Sequence, residues 1–161
     1  MKRWILAAVF CATCGPTLAL SCLPHDVART YLRASEAEEP YIVVHGRLLF
    51  DAERLPETDM QDQRKPPHTL IPARITGQAL TRSGFDLDFD REITLDVQCF
   101  GPWCAGAVPG IDHLGFLERR EDGYVLTLEP CGGMSHPEPT PEMLQRVLRC
   151  YQGGACAAKR P

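Results

Sequence analysis

The sequence predicts a mainly β protein, a small Greek-key barrel of the OB type with a short N-terminal helix, a C-terminal helix and stabilising disulfides. Five or six segments rich in β-branched and aromatic residues are separated by turn residues. One helical pattern precedes these segments and another follows them. Of the eight cysteines in 161 residues, Cys11 and Cys14 lie within the first 19 residues, which leaves six. An even number of cysteines after an export signal predicts a disulfide framework.

The first 19 residues have the three-part layout of a secretory signal peptide. Lys2 and Arg3 form the basic start, an apolar run covers 4–12, and Gly15-Pro16 ends it. This run is shorter than the about 20 apolar residues that a membrane-spanning helix needs. We therefore expect an exported protein, periplasmic or extracellular, with no transmembrane segment in its mature chain.

Removal of the leader leaves about 140 residues, which is enough for one ordinary domain. We predict a single domain over 20–161. Small residues at the required positions allow cleavage before Leu20 or before Cys22. In the second case Cys22 becomes the N-terminal residue, and a lipid-anchored envelope protein becomes an alternative.

The charge balance disfavours nucleic acid as a partner. The chain has 17 Lys+Arg and 21 Asp+Glu, a net charge of −4 that becomes −6 when Lys2 and Arg3 leave with the leader. Nucleic-acid binding needs a basic stripe that displaces counterions. No cluster of basic residues interleaved with aromatic ones occurs in the sequence.

The predicted elements begin with a helix over 25–34, where Val27, Tyr31 and Ala34 recur at helical spacing. A β-branched strand follows over 41–50, and its central Gly46 suits a bulge at a sharp bend.

The segment 51–68 is rich in proline and charge, so we predict a long solvated loop there. Loops of this length are often functional. A lid over an enzyme's active site is therefore an alternative role for this segment.

The sequence pattern of the second half of the chain predicts further strands and a helix. In the strand over 92–99, Ile93, Leu95 and Val97 alternate with polar residues, as in a half-buried strand. Asp122-Gly123 supplies the residues of a hairpin turn. The full set of predicted strands is 70–80, 85–89, 92–99, 113–118 and 124–129, and the closing helix runs over 140–150 with Thr140 as its cap.

Cys99 and Cys104 enclose the segment Cys-Phe-Gly-Pro-Trp-Cys. Redox-active pairs usually have two intervening residues at a helix start, whereas four intervene here after a predicted strand. A zinc site using Cys104, Cys131 and His136 lacks the short-spaced ligand pairs of such sites, and the five histidines stand apart in the sequence. We therefore predict structural disulfides, no metal and no cofactor.

No catalytic residue is predicted. The Gly-x-Ser-x-Gly pattern of a nucleophile elbow is absent. Asp86, Asp88 and Asp90 lie at alternate strand positions and share a face, which is typical of a solvated strand. Cys150 and Cys156 are close enough in sequence to close a local loop.

Four short segments carry a family likeness: Ser-Cys-Leu-Pro at 21–24, Val-Val-His-Gly-Arg at 43–47, Cys-Phe-Gly-Pro-Trp at 99–103, and Gly115-Phe116. Together they resemble the netrin-like and tissue-inhibitor-of-metalloproteinase domains, an OB-fold family. The resemblance covers roughly 21–131. It implies that the N-terminal cysteine segment is tied by disulfides to later strands and loops.

From this resemblance we expect the pairs Cys22–Cys99 and Cys104–Cys131, together with Cys150–Cys156. Leu20 stands where the inhibitors of that family have a cysteine whose free amine and carbonyl bind the target's catalytic zinc. Cleavage before Leu20 leaves a free amine there, but no disulfide holds it rigid, and this loss of preorganisation disfavours metalloprotease inhibition. The expected binding surface comprises Leu20, Ser21, Cys22, Leu23 and Pro24, with Phe100 and Trp103 as apolar anchors.

Three functions remain open at this point. The first is a non-enzymatic binding or inhibitory module with a protein partner, a protease among the candidates. The second is an exported enzyme with a lid at 51–68, and the third is a lipid-anchored envelope protein. Trp103 has a competing role as a core residue packed against a Cys22–Cys99 disulfide.

Overall fold

Seven strands form a sheet that closes on itself through its first strand. The computed structural model describes residues 20–61 and 64–158, so the predicted signal peptide at 1–19 lies outside the described residues. The elements are α1 Val27–Ser35, β1 Tyr41–Phe50, β2 His68–Leu80, β3 Phe85–Phe100, β4 Trp103–Cys104, β5 Asp112–Arg120, β6 Gly123–Leu128, β7 Ser135–Pro137 and α2 Pro141–Tyr151.

Five of the strands make a ring. β1 pairs antiparallel with β2 on one edge and with β5 on the other, and β2 pairs antiparallel with β3. β6 closes the circle because it lies parallel to β3 and antiparallel to β5. β4 and β7 are short additions to β3 and β5. The predicted mainly β barrel, flanked by two helices and stabilised by disulfides, is confirmed.

Alternating apolar residues fill the barrel. Ile93, Leu95 and Val97 are buried, as their period-2 pattern predicts, and they share the core with fully buried Leu48 and Phe116. Within the described part of the chain, neither helix has the length and apolar content needed to cross a membrane.

β3 is one continuous strand, whereas the sequence predicts two strands over 85–89 and 92–99. The charged residues between these segments continue the ladder, since Asp90 pairs in register with Thr76 of β2. Arg74 donates a hydrogen bond to the Asp90 carboxylate at 2.8 Å, and the Thr76 hydroxyl donates another at 3.0 Å. Cross-strand partners of this kind support a strand through polar positions.

The disulfide pairs Cys22–Cys99 and Cys104–Cys131, expected from the family resemblance, are wrong. β3 and β4 form a tight hairpin in which Cys99 and Cys104 lie directly opposite each other, with their Cα atoms 4.0 Å apart. Cys22 instead bonds Cys131 in the turn after β6, at a Cα distance of 5.3 Å. The local pair that sequence proximity suggested, Cys150–Cys156, is confirmed.

Gly46 marks a close approach of two strands and not a bulge. The register of β1 runs through Gly46 without interruption in both of its ladders. Gly46 lies opposite Gly77 of β2, and a Cβ on Gly46 would lie 2.5 Å from the Thr76 carbonyl oxygen. The sheet bends where two residues without side chains face each other.

We predict that Gly46→Ala lowers the free energy of unfolding by about 1–3 kcal/mol, because the new methyl group would meet backbone atoms that cannot rotate away. Urea unfolding followed by circular dichroism measures this loss. Gly106→Ala is the matched control, since a Cβ there meets no atom within 4 Å. Equal stability of the two variants would contradict the close approach.

Candidate functional site

The segment Leu20–His25 is exposed along its whole length and belongs to no helix or strand. Leu23 has 60% of its surface exposed. The disulfide between Cys22 and Cys131 fixes the middle of the segment to the turn that follows β6. An apolar segment is therefore displayed to solvent while it is covalently held.

His25 fixes the end of this segment. Its ring stacks on that of His136 with centroids 3.8 Å apart and an interplanar angle of 11°. Nε2–H of His25 donates to the Gly133 carbonyl at 3.2 Å. Gly132 packs against the same ring so closely that a Cβ would lie 2.6 Å from it, and its φ of +109° also favours glycine.

Asp26, directly after the segment, caps α1. Its Oδ1 accepts hydrogen bonds from the backbone N–H groups of Ala28 at 3.0 Å and Arg29 at 3.1 Å. Its Oδ2 accepts from Arg146 of α2 at 2.8 Å. A buried carboxylate with these partners is well compensated, so it joins the start of α1 to α2.

His136 lies beneath α1 and is almost fully buried. Its Nε2 shares a hydrogen bond of 2.9 Å with the Thr30 hydroxyl. Burial, and secondarily the neighbouring His25, lower the pKa of His136 to about 3. Partial burial of the ring also lowers the pKa of His25. The two stacked imidazoles are therefore neutral at ordinary pH.

A third histidine, His113, lies nearby and pairs with Ser135. The Ser135 hydroxyl donates to Nδ1 of His113 at 2.9 Å, and Nε2–H of His113 contacts the Val108 carbonyl at 3.3 Å. Burial lowers the pKa of His113. Although both side chains border a cavity, His113 exposes 1% and Ser135 4% of its surface. This arrangement joins β5 to β7 and does not offer a nucleophile to a substrate.

Two cavities meet at this end of the barrel. One, of 260 Å³, lies against the N-terminal segment and α1. The other, of 540 Å³, lies against the chain at 104–108 and the start of β7. His25 and Glu129 border both cavities, and Glu129 is held by an ion pair with Arg33. Apolar surface predominates in the walls of both cavities, and few polar groups converge there.

Of the seven residues predicted as a binding surface, Leu20 is exposed outside both cavities, and the other six fall into two groups. Four of them, 21–24, line the 260 Å³ cavity, whereas Phe100 and Trp103 lie on the β3–β4 hairpin and border neither cavity. Phe100 is exposed, and Trp103 is half-buried outside the main apolar core. The alternative in which Trp103 packs against a Cys22–Cys99 disulfide is wrong, because Cys22 bonds elsewhere.

The contribution of His25, His136 and Glu129 to this site was not predicted. They lie far apart in the sequence, and only the turn after β6 and the pairing of β7 with β5 bring them together. Among residues 20–61 and 64–158, no group of three histidine, cysteine or carboxylate side chains is arranged to hold a metal ion.

Comparisons of the chain with protein-family models, with curated proteins and with solved structures found no match. The function therefore has to be argued from the site itself. Its main properties are an exposed apolar segment, a covalent tether and a neutral stacked histidine pair of which His136 is buried.

We predict that acid destabilises the protein through His136. Its pKa is about 3 when folded, against 6.5 as the ordinary value, so the unfolded chain takes up the proton more readily. The contribution of neutral His136 to the free energy of unfolding is fully present above pH 6.5. It is lost as the pH falls towards 3, by up to about 1.4 kcal/mol per pH unit.

Urea unfolding at pH 7 and pH 5 measures this dependence. His136→Gln removes the titrating group and is expected to reduce the loss between the two pH values. His45→Gln is the control, since His45 contacts Phe85 and not the stacked pair. The same pH dependence in wild type and His136→Gln would exclude His136 as the cause.

We also predict that proteolysis without reduction yields a peptide containing Cys22 linked to one containing Cys131. Mass spectrometry identifies the linked pair, and a Cys22–Cys99 peptide would contradict the structure. Replacing Cys22 and Cys131 by serine should cost about 5 kcal/mol, against about 2 kcal/mol for Cys99 and Cys104, because the first bond closes a far longer loop.

Proposed function

We propose that this protein is an exported, disulfide-stabilised binding or inhibitory module without enzymatic activity, and that it presents Leu20–Pro24 to a protein partner. One observation carries the proposal: the segment is exposed throughout, yet it is fixed by the Cys22–Cys131 bond and by the stacked ring of His25. A partner that binds this segment does not have to order it.

Preorganisation of this kind lowers the cost of association. A free extended segment loses conformational entropy when it binds, which reduces affinity. Cys22 and His25 remove much of that cost before the partner arrives. Leu20 and Leu23 then supply exposed apolar surface of the kind that forms interface anchors.

The strand order supports an OB-type barrel of the netrin-like and metalloproteinase-inhibitor kind. β1 pairs with both β2 and β5, and β3 lies parallel to β6, in a five-stranded closed ring. The tether from the N-terminal segment to a later part of the chain also agrees with what that resemblance implies. A protease is accordingly the first class of partner to test.

The disulfides support the exported compartment in this proposal. Three disulfides in one small chain are typical of proteins that fold in an oxidising environment, and they support export to the periplasm or beyond the cell. A lipid on Cys22 would need the sulfur that bonds Cys131, so the lipid-anchored alternative is disfavoured.

The enzyme alternative has less support. The loop expected to act as a lid contributes Thr58, whose hydroxyl oxygen accepts a hydrogen bond from the backbone N–H of Cys104 at 3.3 Å. The Ser135–His113 hydrogen bond is buried away from any substrate. Neither observation supplies the convergent, accessible groups that catalysis requires.

The test is inhibition of a panel of purified secreted zinc and serine proteases by the mature protein, measured from progress curves. N-terminal sequencing first establishes whether the chain starts at Leu20 or at Cys22. We predict that Leu23→Asp weakens inhibition at least about ten-fold, because a carboxylate would replace an apolar anchor. Leu49→Asp is the matched control, since Leu49 is also exposed, at 45%, but lies in β1.

Equal effects of the two variants would show that the N-terminal segment is not the contact surface. Turnover of a substrate by the protein itself would favour the enzyme alternative. Failure to inhibit any protease of the panel would exclude the inhibitory role and leave binding of a non-protease partner as the remaining form of the proposal.

A further inference from the structure

All four tyrosines of the chain line a single cleft of 270 Å³. Tyr31 comes from α1, Tyr41 from β1, Tyr124 from β6 and Tyr151 from the end of α2. Four elements that are distant in sequence therefore each supply one ring. The cleft lies towards the C-terminal end of α1, whereas the N-terminal segment leads into the first turn of that helix.

The lining of the cleft contains no charged side chain. Val43, Ala79 and Leu80 are buried within it, and Leu87 is exposed. Tyr151 keeps 42% of its surface exposed, so one of the rings is open to solvent. A ligand here meets apolar surface and aromatic faces.

The tyrosine hydroxyls are available as donors. The four residues are half-buried or exposed, and their hydroxyls are not among the buried polar atoms that lack a partner. In the described part of the chain, none of the four hydroxyls bonds to a protein group. Burial raises the pKa of both Tyr31 and Tyr41, so these hydroxyls keep their protons.

Carboxylates flank the cleft. Glu36, Glu38 and Glu39 occupy the loop between cleft residues Ser35 and Tyr41. These three acidic side chains are exposed. Glu118 exerts the strongest charge effect on Tyr41 and Glu39 adds to it, while Arg33 and Arg120 oppose them. An exposed acidic loop therefore borders one side of a neutral aromatic cleft.

We propose that this cleft binds an extended, proline-containing peptide segment of a partner protein, with basic residues on its flanks. Proline rings pack against tyrosine faces, and aromatic-lined grooves recognise such segments. Proline has no N–H but keeps its carbonyl acceptor, which matches hydroxyls that donate. The flanking arginine or lysine residues match the acidic loop.

A carbohydrate fits the same cleft less well. Sugar hydroxyls need acceptors as well as donors, and carboxylates and side-chain amides supply such acceptors. The cleft has no carboxylate, amide or guanidinium in its lining. The hydrogen-bonding character of the walls therefore favours an acceptor-rich peptide backbone.

This binding site is separate from the N-terminal segment, so either proposal can fail without the other. The probe is a synthetic peptide with an acetylated N-terminus and an amidated C-terminus, in which arginines flank four prolines. Titration of the mature protein by calorimetry measures its affinity. We expect saturable binding that weakens with added salt, and at least about ten-fold weaker binding when glutamates replace the arginines.

Variants locate the contact. Tyr151→Ala and Leu87→Ala, at exposed positions, are each expected to weaken binding by about three-fold to ten-fold. Tyr31→Phe removes only a hydroxyl and should give a smaller loss. Leu49→Ala, in β1 and outside the cleft, should leave the affinity unchanged.

Several outcomes would overturn the proposal. These are no saturable binding of the arginine-flanked peptide, equal binding of the glutamate-flanked peptide, or equal affinity in the Tyr151→Ala and Leu49→Ala proteins. Saturable binding of an oligosaccharide that Tyr151→Ala abolishes would assign the cleft to carbohydrate. Self-association that the same variant abolishes would assign it to a second copy of the chain.

Discussion

The structure depends on the pairing of β1 along both of its edges. Gly46, near the middle of β1, lies opposite Gly77 of β2 and opposite His113 of β5. The contact with Gly77 brings the backbones of two strands unusually close, which lets the sheet curve enough to close. Without this closure β5 would lose its ladder to β1 and keep only its shorter pairings with β6 and β7.

Closure of the barrel positions the candidate site through a short series of contacts. β5 pairs with β7, which places His136 beneath α1. His136 provides the surface on which His25 stacks, and His25 ends the N-terminal segment. Asp26 then caps α1 and binds Arg146. A segment that belongs to no strand or helix is thus held by the barrel, by one covalent bond and by one stacked ring.

Local sequence patterns predicted the elements, because alternation and capping are local properties. The strand β1 has the predicted bounds, and Thr140 and Pro141 start α2 as expected. Two short strands, β4 and β7, were not predicted, since two or three residues carry no periodicity. The break expected between 85–89 and 92–99 is absent because its charged residues find cross-strand partners.

Contacts between residues that are far apart in the sequence could not be predicted from local sequence patterns. The convergence of His25 and His136 depends on the turn after Cys131, and the gathering of the four tyrosines depends on the packing of both helices on the barrel. The family resemblance placed Cys22 in a tether but assigned it the wrong partner. The hairpin formed by β3 and β4 places Cys99 opposite Cys104 and so determines that disulfide. The sequence does not predict β4, so it could not predict this hairpin.

The three disulfides differ greatly in the length of chain that they enclose, with sequence separations of 5, 6 and 109. Short loops close at little entropic cost, so Cys99–Cys104 and Cys150–Cys156 can form from local encounters while the chain is still unfolded. Among the six cysteines within residues 20–158, Cys22 and Cys131 are then left with each other. Oxidation thereby leads to one connectivity out of the 15 that six cysteines allow, with no need to reshuffle bonds. The long-range bond between Cys22 and Cys131 then needs no selection among partners.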